Sequence, residues 1–321
     1  MAYTSGSTIL AADYNGFVND TAGANINATW NSAYGQTALS SVSANANVTA
    51  TQWSTLVNTL TNMGAHQPTT ITSRTAPVTG NTISILANVN ADITSCFTNR
   101  FNAYAVGTQY TAWTGTNSKT GGTSGPAWTI TFTNTVTFAN ATAANNFFNS
   151  GGYIQIQNGK SSTGQLGDVP WNSLATVETG IIYITKGGVT QTIAGTPYTG
   201  TTKSGGTGTP AVLSTGTGWD SLVNGAAATI VYKQFSPTAP YTTDFIQHSI
   251  AKATSSTQLV ITTLWSANDS GPGDPDPISG GTAAVGATPG TAPCAIVTYR
   301  PPETVYLTNT WGTPTVAATT V

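Results

Sequence analysis

The segment that most constrains the fold of this chain is residues 128–138. Its sequence, WTITFTNTVTF, places apolar side chains at five of the six even positions and Thr at every odd position. A period of two is typical of a β-strand with one buried face. Threonine suits the opposite face, because a β-branched side chain with a hydroxyl group packs well on a pleated, hydrated surface. We therefore predict a strand or hairpin whose apolar face lies in a core.

Further strands are predicted in the remainder of the chain. Short apolar segments bounded by Gly, Pro, Asn or Ser are typical of strands separated by turns. Because little helical pattern lies between them, the arrangement favours antiparallel sheets packed as a sandwich. The predicted strands are YIQIQ, GIIYIT, ATIVYKQF, DFIQHSI, QLVITTLW, CAIVTYR and TVYL.

The N-terminal third of the chain carries a helical pattern. Thr49 and Gln52 match a capping box. In this motif a hydroxyl side chain and an amide side chain three residues later each accept a hydrogen bond from the backbone N–H of the other residue. Apolar residues recur at helical spacing from Trp53 to Met63. Gly64 stands where a glycine commonly follows the end of a helix. This segment predicts one amphipathic helix ending at about Gly64.

Two further helices are predicted in the same third. One covers residues 83–104 and places Cys96 on its packed face, and a shorter one starts near Asp13. Cys96 and Cys294 are far apart in the sequence, which favours two buried free thiols over a disulfide framework. The predicted fold class is α+β, with a small N-terminal helical region followed by mainly antiparallel, sandwich-like β structure.

The pattern divides the chain into three predicted regions. Residues 1–105 form a helical region that we expect to anchor the chain in an assembly. Residues 106–200 form a β-rich domain that includes a short helix at FFNSGG. Residues 201–321 continue the β structure, with a long Gly/Pro-rich loop over residues 268–293.

Scarcity of charge limits the classes of function. Only 6% of the residues are charged, against about 25% in an ordinary soluble domain. Disorder does not follow, because 8 Trp, 12 Tyr and 9 Phe can build a core. A net charge of −2 without a basic cluster predicts no nucleic-acid binding. No apolar run is long enough for a membrane helix, and the N-terminus lacks the pattern of a signal peptide.

No catalytic residue or cofactor is predicted. The chain has only two glutamates, Glu178 and Glu303, and its histidines, His66 and His248, stand alone in the sequence. Acid–base catalysis by paired carboxyl groups needs two of them held close together, and no spacing in this chain predicts such a pair. No GxSxG motif supports a nucleophilic serine.

Two sets of residues are candidate binding sites. Asp269, Asp274 and Asp276 lie in NDSGPGDPD, where carboxylate oxygens of one loop are a candidate calcium site. The alternative is a solvated turn, because the spacing is not that of an EF-hand and no Glu closes it. Tryptophans in Gly/Ser/Thr-rich surroundings are candidate platforms for stacking on sugars, although a place in the core or at an interface is favoured for each of them: Trp113, Trp219, Trp265 and Trp311.

Several segments together resemble a family of virion structural proteins from tailed phages, cyanophages in particular. They are TILAADYNGFVND with AYGQ, VTATQWSTLVNTLTNMGAHQ, TITFTNTVTFANATAANNFFNSGGYIQIQ and VTYRPPETVYL. The Thr-rich strand followed by FFNSGG is the most specific of these, and the DYN opening is less so. The resemblance implies a location in the virion and no catalytic residues. The loop at residues 268–293 looks like an insertion relative to that family.

We accordingly predict a non-enzymatic structural component of a phage virion, made in the host cytoplasm without a signal peptide. The tail, fibre or baseplate is the expected location, and a head decoration or neck protein is the alternative. Expected partners are other virion proteins and copies of the same chain, as a trimer or higher homo-oligomer. Two other functions remain open: an adhesin that binds a host surface glycan, and a tail-borne depolymerase, which the scarcity of carboxylates disfavours.

Overall fold

A computed structural model describes residues 10–20, 23–79, 88–108, 127–160, 168–268 and 294–320. Its antiparallel sheets and short N-terminal helical region confirm the predicted α+β class. The helices are α1 (Ala11–Asn19), α2 (Ile26–Trp30), α3 (Ala50–His66), α4 (Val89–Thr98), α5 (Ala141–Asn149) and α6 (Asp168–Asn172), which continues as a π-helical turn (Ser173–Glu178). A 3-10 turn covers Trp219–Ser221.

Helix α3 begins with the predicted capping box but ends later than expected. Gln52 N donates to Thr49 Oγ1 at 3.3 Å, and Thr49 N donates to Gln52 Oε1 at 2.8 Å. Gly64 lies inside the last turn rather than after it. A Cβ atom there would come within 3.1 Å of Thr69 O and 3.2 Å of the Ile71 side chain. The glycine therefore serves a close packing contact and does not end the helix.

Helix α4 is shorter than the helix predicted over residues 83–104. It covers Val89–Thr98, and residues 80–87 lie outside the described part of the chain. Beyond Thr98 the backbone bonds to other elements, since Ala103 N donates to Thr192 O at 2.9 Å. Cys96 is fully buried, as its place on the apolar stripe predicts.

The strands form two sheets and a hairpin, and every pairing between them is antiparallel. One sheet has six strands in the order β12-β1-β10-β9-β8-β7, the other has four in the order β11-β2-β3-β6, and β4 pairs with β5. The strands are β1 (Trp128–Thr137), β2 (Tyr153–Gly159), β3 (Ile181–Ile184), β4 (Thr190–Ile193), β5 (Thr196–Thr199), β6 (Thr201–Ser204), β7 (Val212–Leu213), β8 (Thr229–Phe235), β9 (Phe245–Lys252), β10 (Gln258–Ala267), β11 (Cys294–Arg300) and β12 (Thr315–Thr320).

Most predicted strands are confirmed, including the one in the Thr-rich segment. In β1 each apolar residue and Asn134 is buried, and the alternating threonines are half-buried or exposed. The strand predicted at TVYL is wrong, because residues 304–307 form a bend. The last strand of the structure is β12 instead, which pairs with β1.

The two sheets face each other as a sandwich. Buried apolar residues of both sheets belong to one cluster, among them Ile156 of β2 and Ile261 of β10. Polar contacts also cross the interface: Asn134 Nδ2 donates to Ala295 O at 3.4 Å, and Asn158 Nδ2 lies 3.0 Å from His248 Nε2. The predicted sandwich arrangement is therefore confirmed.

The helical region is part of the same core. The cluster that joins the two sheets also contains residues of α1, α3 and α4, such as Trp53. At the junction between the helices and the sheets, Gln36 Nε2 donates a hydrogen bond to Thr308 O at 3.0 Å, and Thr308 N donates to Gln36 Oε1 at 3.0 Å. The regions predicted as 106–200 and 201–321 are not separate either, because strands from both of them build each sheet.

This shared core predicts that residues 106–321 do not fold alone. Removing residues 1–105 would expose the apolar face against which α1, α3 and α4 pack. Exposing apolar surface to water costs about 25 cal/mol per Å². We expect the fragment to lose the cooperative urea transition of the full chain, as followed by tryptophan fluorescence. A chain without residues 1–9 serves as control and should unfold cooperatively. A fragment with the stability of the full chain would contradict the prediction.

Candidate functional site

Three of the four tryptophans considered as sugar platforms lie in the core. Trp219 and Trp265 have no exposed surface, and Trp311 is 1% exposed. The Trp219 ring stacks on Phe148 with the centroids 5.3 Å apart. In a chain with few large apolar residues, indole rings supply much of the volume that a core needs. The structure therefore places these three residues in the core and not on a sugar-binding surface, and Trp113 lies outside the described part of the chain.

The candidate calcium ligands Asp269, Asp274 and Asp276 also lie outside the described residues, as does almost all of the loop at residues 268–293. Within the described ranges, no three His, Cys, Asp or Glu side chains converge as a metal site. Cys96 and Cys294 are both buried and form no disulfide bond, as predicted.

Both histidines are buried. His248 Nδ1 lies 2.9 Å from Thr263 Oγ1, and its Nε2 faces the Asn158 amide between the sheets. Burial lowers the pKa of His248 to about 3. Burial also lowers the pKa of His66 to about 4, and the nearby backbone of Ser150 opposes only part of this shift. Both imidazoles are therefore neutral at pH 7 and support the core.

A buried lysine lies where α5, the end of β3 and the 3-10 turn meet. Lys186 is 8% exposed. Its Nζ atom forms an ion pair with Asp220 Oδ2 and donates to Asn149 Oδ1 at 2.7 Å. The Phe101 ring covers the same atom, with its centroid 4.3 Å away. This arrangement, here called the Lys186 cluster, brings an amine, a carboxylate and a carboxamide into contact.

The backbone around the Lys186 cluster is held from several directions. Lys186 N donates to Gln191 Oε1 at 3.0 Å, and Asp220 N donates to Lys186 O at 2.7 Å. Gln191 Nε2 in turn donates to Phe101 O and Phe148 O. Gln191 is fully buried, so these bonds are shielded from water. The cluster is therefore preorganised by three separate elements of the fold.

A second polar site is a groove of about 240 Å³ beside residues 301–304. Glu303 and Asn309 line it together with Trp311. Glu303 also lies near Tyr104, whose ring packs against that of Tyr306 with the centroids 5.2 Å apart. Partial burial raises the pKa of Tyr104, and the nearby Glu303 adds to the effect. The groove is smaller than the roughly 300 Å³ at which small-molecule pockets usually begin, and it offers a carboxylate beside aromatic rings.

The chain matches no protein-family model, and comparisons with curated proteins and with solved structures give no match either. The resemblance to virion structural proteins therefore stays a prediction. None of the helices in the described ranges has the length and apolar character that crossing a membrane requires.

The buried histidines predict that stability falls as the solution becomes acidic. The unfolded chain binds protons at each histidine near its ordinary pKa of 6.5, whereas the folded chain does so only near pH 4 at His66 and pH 3 at His248. The contribution of the neutral histidines to the free energy of unfolding is thus fully present above pH 6.5 and is lost as the pH falls towards these values. At about pH 5 the loss is on the order of 2 kcal/mol for each histidine.

Urea unfolding at about pH 7.5 and about pH 5 checks this prediction. His248→Gln should remove about half of the pH dependence, since only His66 then titrates. An unfolding free energy that is the same at both pH values would show that the imidazoles are not held in their neutral form.

Proposed function

We propose that the chain is a non-enzymatic structural component of a tailed-phage virion and that it belongs to the tail, fibre or baseplate. The observation that carries the proposal is a sheet surface without charge. The adjacent strands β12, β1 and β10 contain no Asp, Glu, Lys or Arg. Removing an uncharged surface from water costs less free energy than burying a charge, which is costly unless the charge is paired. A face of this kind suits permanent contact with neighbouring subunits.

The edge of that sheet adds to the argument. Within the described residues β12 pairs only with β1, and its other edge has no strand partner. Natural proteins usually protect such an edge with charged residues or proline. The sequence of β12, TVAATT, has neither. Pairing with another chain at this edge would bond its free backbone groups, and copies of the same chain are the partners we propose.

The side chains that could support catalysis are mostly engaged elsewhere. Asp92 is ion-paired with Arg74 at 2.5 Å, Asp220 with Lys186, and both histidines are buried. Neutral histidines away from solvent are poorly placed for acid–base work on a substrate. These contacts favour a structural role over the depolymerase alternative.

The test is immunogold electron microscopy of purified phage particles with antibody to this chain. We expect label at the tail, fibres or baseplate. Ala317→Lys, which places a charge on the exposed side of β12, should reduce labelling of particles that carry the variant several-fold, because an unpaired charge at an interface costs about 1–3 kcal/mol.

Ala227→Lys is the matched control, because Ala227 is exposed in a loop away from β12 and should not affect labelling. Label over the capsid would assign the chain to the head or neck. Particles without label would reject the virion proposal, and equal labelling of the Ala317→Lys and wild-type chains would reject β12 as the interface.

The groove beside Glu303 supports a second candidate, an adhesin that binds a host glycan. A carboxylate accepts hydrogen bonds from sugar hydroxyls, and the prolines Pro301 and Pro302 line the same groove with apolar surface. Glu303→Gln should weaken binding on a glycan array at least about tenfold, since a hydrogen bond to a charged group contributes roughly 1.5–3 kcal/mol. Glu178→Gln, at the chain's other glutamate, should leave binding unchanged. Absence of any bound glycan would remove this candidate.

A further inference from the structure

The Lys186 cluster contains all the groups needed to form an amide bond between side chains. Lysine supplies a nucleophilic nitrogen once it has lost a proton. The carboxamide of Asn149 supplies a carbonyl carbon, and its oxygen lies 2.7 Å from Lys186 Nζ. The carboxylate of Asp220 accepts a hydrogen bond from the same nitrogen and can accept and return protons.

Burial and fixed geometry favour a reaction over a simple ion pair. Asn149 is 9% exposed and Lys186 is 8% exposed. Asn149 Nδ2 donates to Ala33 O at 3.1 Å, which fixes the orientation of the carboxamide towards the lysine. Groups held in contact in this way react as if one were present at very high concentration, because the entropy of bringing them together is already lost.

We propose that Lys186 Nζ forms a covalent amide bond with the side-chain carbonyl carbon of Asn149, with release of ammonia and with Asp220 as the proton carrier.

The atoms and charges of this step balance without an oxidant or reductant. Asp220 takes a proton from the Lys186 ammonium group, and the neutral amine attacks Cγ of Asn149. A tetrahedral intermediate forms, and the bond from Cγ to Nδ2 breaks as Asp220 returns a proton to Nδ2. Asp220 then takes the second proton from the attacking nitrogen and passes it to the released ammonia, which leaves as an ammonium ion. Asp220 ends as a carboxylate.

Asn149 is the acyl partner rather than Asp220. Attack on Asp220 would consume the carboxylate that must carry the protons. Lys252 also lies near Asp220; burial lowers the pKa of Lys252, Asp220 opposes this shift and Lys186 adds to it. The Asp220 side chain is 39% exposed, which gives the released ammonia a route to solvent. The new bond would tie the last residue of α5 to the chain just after β3.

Mass spectrometry of the intact, denatured full-length protein tests the proposal. We expect a mass lower than that of the sequence by one ammonia molecule. Proteolytic digestion should yield a branched peptide that joins the segments of Asn149 and Lys186. Such a peptide also distinguishes the crosslink from a succinimide, which loses ammonia within a single unbranched peptide.

Three variants complete the test. Lys186→Arg and Asp220→Asn should both show the full sequence mass, because one lacks the nucleophile and the other lacks the proton carrier. Lys233→Arg, at a lysine outside the cluster, should keep the lower mass. A wild-type chain at full mass would overturn the proposal, and so would loss of one water molecule with a branch at Asp220. The measurement is made on unfolded chains and does not depend on the virion proposal.

Discussion

The contact on which the rest of the structure depends is the packing of aromatic rings at α5. Phe138, Phe147, Phe148 and Trp219 form a continuous set, with neighbouring centroids 5.1 to 5.7 Å apart. They come from the residue that follows β1, from α5 and from the 3-10 turn. Aromatic pairs in these geometries contribute about 0.5–1.5 kcal/mol beyond the area they bury. Because this set belongs to the core shared by the helices and both sheets, the helical region and the sandwich form one folding unit.

The sequence was sufficient to predict those elements whose own residues carry the pattern. The alternation in β1 and the capping box of α3 depend on neighbours within a few positions, so they could be recognised directly. Strand order and the shared core depend on residues far apart in the chain, such as Gln36 and Thr308, and no local pattern reports them. The same limit explains TVYL, an apolar segment with the composition of a strand that is held as a bend.

The candidate sites were harder to predict for a related reason. Tryptophans in Gly/Ser/Thr-rich surroundings look exposed when only their neighbours are considered, but Trp219 and Trp265 are covered by distant elements. The Lys186 cluster had no signal in the sequence at all. Asn149, Lys186 and Asp220 are separated by more than thirty positions each. Asn149 lies in the FFNSGG segment, but that segment gives no sign of a lysine or an aspartate partner. Only the antiparallel topology brings them together.

The distribution of the few charges supports a chain built for lasting contacts. The ion pair of Arg74 with Asp92 is largely withdrawn from water, and in the pair of Lys186 with Asp220 the lysine is buried while the carboxylate is partly exposed. Withdrawing charges in this way contributes little net stability, but breaking such a pair is costly, so the pairs fix one arrangement of the elements they join. Meanwhile β12, β1 and β10 carry no charge. The charges are thus placed inside the chain and one face is left neutral, which is the combination that the proposed contact with other subunits would require.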